Sequence, residues 1–212
     1  MGSKNKLKRF NENVTFPNVF QPTREEVVTD SLALKGKWNS DFFKNDNPIV
    51  LELGCGKGEY TLALAKKNPN KNFIGVDIKG ARFWLGAKIA LEENLKNLAF
   101  LRTRIEMISF FFGNHEVSEI WITFPDPFLE NYRINRRLTS PAFLEKYREM
   151  LKPDGIVHLK TDESTLYQYT LDILSKENQA KVLIANADIY EAELPNPLLT
   201  TKTRYENKFL GE

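Results

Sequence analysis

The segment Glu52-Leu-Gly54-Cys-Gly56-Lys-Gly58 concentrates chemistry: three glycines alternate, an acid stands two residues before the first, and Asp77 follows 23 residues after Gly54. Glycines where a strand turns into a helix let the backbone approach a ligand without side-chain obstruction. The spacing G-x-G-x-G departs from the dinucleotide fingerprint G-x-G-x-x-G, whose third glycine would fall on Glu59. A carboxylate at Glu52 repels a pyrophosphate but attracts an ammonium and a sulfonium. Asp77, at the end of the next strand, can accept hydrogen bonds from both ribose hydroxyls, which is equally what nicotinamide enzymes use. Asp77 therefore indicates an adenosine cofactor without choosing one, and the glycine spacing favours S-adenosylmethionine over NAD. Glu52, Gly54, Gly56 and Asp77 are the candidate cofactor-binding residues, and Cys55 reads as a small structural residue.

A second constellation is Phe124-Pro125-Asp126-Pro127-Phe128. Two prolines stiffen the loop and remove two backbone donors, so Asp126 is held between aromatic residues that suit a planar base. Pro and Asp are also ordinary turn residues; the neighbouring glycine turn favours function. Methylation of a pyrimidine carbon-5 calls for a nucleophilic thiol, and the loop has no cysteine. A ring nitrogen with a free lone pair, such as guanine N7, needs no proton removed before attack. Positive charge then develops on the purine, and a fixed carboxylate stabilises it while holding the N–H donors of guanine's Watson–Crick edge. Asp126 is the candidate catalytic residue in that electrostatic role.

These residues need a scaffold, and the surrounding pattern supplies one. Ile49–Leu53 is a short apolar strand run ending in glycines, Tyr60–Lys67 is helical, Asn72–Asp77 a strand and Gly80–Leu95 a longer helix. Ala99–Thr103 and Glu119–Thr123 read as strands, with a short helix from about Ile105 to Phe112 between them. Ser140 before Pro141 is a helix start as N-cap and first-turn proline, Phe143, Leu144, Tyr147, Met150 and Leu151 share one helical face, and Pro153-Asp-Gly155 ends that helix before a strand at Ile156–Leu159. Strands alternating with helices predict an α/β fold with a parallel sheet covered on both faces. Residues 1–46 read as a basic N-terminal arm with a short helix begun by a capping box at Thr23-Arg-Glu-Glu26, and residues 47–212 as the catalytic domain.

At 212 residues the chain suffices for one domain with a full core. One cysteine rules out an internal disulfide and any multi-cysteine metal site, and with two histidines no structural zinc is expected. No apolar run approaches the ~20 residues of a membrane span and the N-terminus lacks a signal-peptide core, so the expected location is the cytoplasm. The net charge of +2 announces no nucleic-acid binder, but its distribution is uneven: Lys4, Lys6, Lys8 and Arg9 crowd the N-terminus and Arg133, Arg136 and Arg137 form a second cluster. Both clusters are expected to meet phosphates.

In these motifs and their order the sequence resembles the bacterial tRNA (guanine-N7-)-methyltransferases, which modify guanine 46 of the variable loop. The resemblance rests on Glu52–Gly58, Gly75-Val-Asp77, Phe124-Pro-Asp-Pro127, Arg136-Arg-Leu138 with Pro141 and Phe143-Leu144, Lys160-Thr-Asp162 and Thr203-Arg-Tyr-Glu206. It implies a Rossmann-like, class I, S-adenosylmethionine-dependent methyltransferase with a mostly parallel seven-stranded sheet, tRNA as partner, and no metal. It further implies cofactor contacts at Glu52 and Asp77, a catalytic-site role for Asp126, and guanine-site roles for Asp162, Thr203 and Glu206. The family's adenine-binding position aligns with Thr103 or Arg104. Relatives often carry Trp and lysines after P-D-P where this chain has Phe128-Leu-Glu130, and Arg133 is the candidate to replace a substrate-binding lysine. A monomer or homodimer is expected. The competing readings are an NAD(P)-dependent oxidoreductase, disfavoured by the glycine spacing, a methyltransferase for another RNA base, and a non-catalytic RNA-binding protein on the same fold.

Overall fold

The apolar run Ile49–Leu53 forms strand β2, buried at every position, in a computed structural model that describes residues 3–29, 32–188, 201–203 and 206. Before it come helix α1 (Ser3–Asn13), the two-residue strand β1 (Val19–Phe20) and helix α2 (Arg24–Val28). After it run helix α3 (Glu59–Lys67), strand β3 (Asn72–Val76), helix α4 (Gly80–Glu92), strand β4 (Leu98–Leu101), strand β5 (Val117–Thr123), helix α5 (Pro141–Met150), strand β6 (Leu151–Lys160) and helix α6 (Ser164–Leu174). Among the described residues the sheet has six strands in the order β1-β4-β3-β2-β5-β6, where the resemblance implied seven. Every pairing is parallel. The fold is a Rossmann-like α/β arrangement.

Side chains along each strand alternate between two cores, as a period of two requires. Leu51, Leu53, Ile74, Val76, Ile120 and Ile122 pack with Trp38, Phe143 and Tyr147 on one face. Val50, Phe73, Phe100 and Trp121 pack with Tyr60, Leu64 and Phe83 on the other. Glu52 lies between Leu51 and Leu53, so it faces the second core, where α3 covers the sheet.

The strand order decides where a ligand can sit. From β2 the chain moves outward to β3 and β4, then returns to place β5 on the opposite side of β2. Connections on either side of that switch diverge and leave a crevice beyond the carboxyl ends of β2 and β5. The glycine turn follows β2, and the Pro125–Pro127 loop follows β5.

The segment before residue 47 is wound into the same sheet. Val19 and Phe20 pair with Phe100 and Leu101, and the Asn13 and Asn18 amides donate to the carbonyls of Gly80 (2.9 Å) and Ala87 (3.1 Å) on α4. Thr23 makes both bonds of its capping box with Glu26. Ser140 does precede α5 with Pro141 in the first turn, but its hydroxyl donates to the Asn135 carbonyl at 3.2 Å instead of capping. Strand β6 begins directly after α5, and residues 152–155 bulge out of register, with Asp154 at φ 63°.

Candidate active site

All three glycines of the turn have positive φ: 81° at Gly54, 56° at Gly56 and 73° at Gly58. A Cβ at Gly54 or Gly56 would meet nothing closer than 4.0 Å, so the turn is open on that side, and Ile105 borders it. Gly58 differs. A Cβ there would lie 2.5 Å from the Phe100 ring, so this glycine is required by packing as well as by conformation. The turn is tied to strand β3 through the Val76 carbonyl, which accepts from Gly54 (2.8 Å) and Cys55 (3.0 Å). Asp77 completes the tie: Oδ2 accepts from the Gly56 N–H at 3.0 Å and Oδ1 from the Lys79 N–H at 2.7 Å. Each oxygen keeps acceptor capacity beyond these bonds.

Glu52 is buried, with 3% of its surface exposed. Its carboxylate accepts a short hydrogen bond from the Thr61 hydroxyl on α3, and one of 3.0 Å from Thr123 at the end of β5. Burial pushes its pKa up to about 7, against those hydroxyl bonds and with a further upward push from Asp77. Burial, with Glu52 and Asp77 beside it, also raises the Cys55 thiol, which stays protonated and inert. Two buried acids beneath an open glycine turn fit a ligand that carries an ammonium and a sulfonium and would repel phosphates. Thr103 is buried at the end of β4, its hydroxyl 3.4 Å from the Arg104 carbonyl; Arg104 is exposed and precedes the 3₁₀ helix Ile105–Phe110.

The loop after β5 is strained at both ends: Phe124 has φ 47° and Phe128 φ 43°. Each such non-glycine residue costs about 1–3 kcal/mol and persists only where its surroundings over-determine it. The Phe124 N–H donates to the Lys160 carbonyl at 2.8 Å. Arg137 holds the far end, its Nε donating to the Pro127 carbonyl at 2.9 Å and its Nη2 to the Phe128 carbonyl at 3.1 Å. Its guanidinium lies over the Tyr169 ring of α6, 4.3 Å from the centroid, and the residue is 4% exposed. The expectation that Arg137 contacts phosphate is thereby corrected: its donors point inward. Arg136 is exposed, whereas Arg133 rests over the Phe128 ring at 4.6 Å and 3.7 Å from Glu130. Asp126 is exposed at the loop's apex.

Thr123 pairs with Lys160, so Asp126 and Asp162 leave adjacent strands at the same sheet edge. Asp162 is exposed, and Glu163 rather than Asp162 caps α6, accepting from the Thr165 N–H at 3.1 Å. Thr203 and Glu206 are both buried and bond each other reciprocally: the Thr203 N–H donates to Glu206 Oε2 (2.6 Å) and the Glu206 N–H to Thr203 Oγ1 (3.1 Å). Glu206 Oε1 also pairs with Lys160 Nζ at 2.6 Å, both side chains 2% exposed. Lys160 was given no role from sequence, yet its ammonium ties Thr201 and Glu206 to the sheet and faces the rings of Tyr60 and Phe124 at 5.6 and 6.0 Å. Lys160 is the one buried position of β6, and a lysine so placed would scarcely be tolerated without a partner.

The two histidines lie elsewhere. His158 stacks on Trp121 with centroids 4.1 Å apart and stands 3.4 Å from Glu119, which also pairs with Lys71. Burial works against ionising Glu119, but His158 and Lys71 outweigh it and hold its pKa at about 2. His115 Nδ1 is 2.8 Å from the Leu151 carbonyl. Among the described residues no group of three or more His, Cys, Asp or Glu could hold a metal ion.

A family profile described as "Putative methyltransferase" matches residues 46–212. A tRNA (guanine-N(7)-)-methyltransferase of Christiangramia forsetii is 59% identical over 211 residues, covering 99% of this chain and 94% of the relative. Proteins of the same description from Bacteroides thetaiotaomicron (49% identity, 98% of this chain, 81% of the relative) and Cytophaga hutchinsonii (40%, 99% and 93%) extend the likeness. With its glycine turn, paired acids and proline-stiffened loop at the switch point of a Rossmann-like sheet, the chain belongs to the tRNA (guanine-N(7)-)-methyltransferase family of S-adenosylmethionine-dependent enzymes.

Proposed function

We propose that this chain methylates N7 of guanine 46 in the variable loop of tRNA, in the cytoplasm. The observation that carries the reading is the convergence of two loops at one switch point: the turn above Glu52 and Asp77 after β2, and Asp126's loop after β5. S-adenosylmethionine, when bound, supplies a methyl group made electrophilic by its sulfonium. Glu52 and Asp77 provide the negative environment for that cation, Gly54 and Gly56 leave room for it, and Thr103 or Arg104 borders the adenine. Asp126 faces the guanine, holds its N–H donors and stabilises the positive charge that grows on the purine as N7 is alkylated. N7 offers its lone pair directly, so Asp126 needs no proton transfer. Asp162, from the neighbouring strand end, joins Asp126 on the guanine. Thr203 and Glu206 close the site from the C-terminal side, held through Lys160. Arg133 and Arg136 meet the RNA backbone, with Lys6, Lys8 and Arg9 on α1. Among the described residues no helix is long and apolar enough to cross a membrane.

The test is methyl transfer to unmodified tRNA with the product nucleotide mapped, alongside tRNA carrying adenine at position 46. Label on N7 of guanine 46, lost in the substituted tRNA, is the expected result; label elsewhere overturns the assignment. Asp126→Asn keeps shape and loses charge. Single-turnover transfer should fall roughly 10²–10³-fold with cofactor affinity retained, the scale for removing one preorganised contact.

A further inference from the structure

Pro125 and Pro127 contribute no N–H donors to the loop that carries Asp126. Its exit is held instead by one buried guanidinium, since Arg137 takes the carbonyls of Pro127 and Phe128 together. The same guanidinium stands over the Tyr169 ring, 4.3 Å from its centroid. Tyr169 belongs to α6, whose first residue, Ser164, follows Asp162 by two positions. One side chain thus joins the loop after β5 to the helix after β6, the two elements that bring Asp126 and Asp162 to the crevice. A planar fork with several donors and a stackable face can do this, and a lysine ammonium cannot reproduce it.

We propose that Arg137 is a positioning residue for methyl transfer: it fixes the strained Asp126 loop against α6, setting the spacing of Asp126 and Asp162 around the purine. This rests on the reading of Asp126 as the guanine-facing carboxylate. Arg137 touches neither cofactor nor base, so its effect passes through Asp126.

A double-mutant cycle tests it, read by single-turnover transfer at saturating S-adenosylmethionine and tRNA. R137K keeps the charge but loses the fork; it should slow transfer by about tenfold to a hundredfold, the range for a displaced reacting group. S-adenosylhomocysteine affinity should stay within about twofold of wild type, as the glycine turn is untouched. Y169F keeps the stacking face and should retain the wild-type rate, whereas Y169L should lose part of it. In the D126N background, R137K should add little, because a loop without its charge gains nothing from being positioned. A wild-type rate for R137K overturns the proposal, and so does a loss that multiplies fully with that of D126N. If D126N itself transfers at the wild-type rate, the assignment of Asp126 falls and this proposal with it. A slow D126N beside a fully multiplicative double variant removes the proposal alone.

Discussion

Glu52→Gln separates charge from shape at the floor of the cofactor crevice. The wild-type carboxyl titrates at about 7 in the folded protein against 4.5 unfolded, because burial penalises its ionised form. Between those values the folded state binds the extra proton, so stability is greatest at low pH and declines as pH rises. That upward displacement corresponds to about 3 kcal/mol in all, most of it lost between about pH 5 and pH 8. Glutamine cannot ionise, so this part of the decline should vanish from the variant's urea unfolding curves. The cofactor should respond in the opposite direction. A bound cation favours ionised Glu52, and at about pH 6, one unit below the folded pKa, only about one molecule in eleven carries that charge. The dissociation constant of S-adenosylmethionine should therefore rise about tenfold from about pH 8 to pH 6, with a proton released on binding that calorimetry in buffers of differing ionisation enthalpy detects. Glu52→Gln should bind weakly and without this pH dependence. A flat wild-type affinity across that range, or an unchanged pH profile in the variant, would refute the coupling.

Other consequences are as direct. Arg136→Ala should lower the salt slope of tRNA binding by about 0.7–0.9 for one lost phosphate contact, while Arg137→Lys leaves the slope unchanged because its donors face inward. Glu206→Gln removes the carboxylate that neutralises the buried Lys160 ammonium and should cost about 3–5 kcal/mol by denaturant unfolding, whereas replacing both by well-packed apolar residues should recover most of it. Gly58→Ala forces a Cβ into the Phe100 ring at positive φ; a loss of at least about 2 kcal/mol is expected, and Phe100→Leu in the same chain should restore part of it.

What the sequence disclosed was whatever is encoded locally. The strand-turn-helix order around Gly54–Gly58, the capping box at Thr23 and the proline loop each span a few residues, and the structure shows the elements those residues specify. What it concealed depends on partners distant in the chain. Arg137 looked like part of a basic cluster because its neighbours are Arg133 and Arg136, and only the fold brings the Pro127 and Phe128 carbonyls beneath it. For Glu206 the resemblance implied a guanine-site role, and nothing nearby in the chain announces its buried partner, 46 positions away at Lys160. Gly58 stood in the sequence only as the third glycine of the turn, while the ring that excludes any side chain there belongs to Phe100. Strand β1 was missed for a related reason. Two residues carry no periodicity, and Val19–Phe20 is a strand only because β4 presents an edge to it.

That edge strand bears on the order in which the molecule assembles during synthesis. Val19 waits for a partner at Phe100, and Phe100 is also the ring on which Gly58 rests. The glycine turn leaves the ribosome near the midpoint of these two events, but it cannot settle until β4 has followed. When β4 docks, it completes the turn from below and recruits the N-terminal segment to its own outer edge, where an unpaired strand would otherwise be a template for another chain. The ring that seats the glycine turn and the edge that receives the N-terminal strand thus belong to one residue.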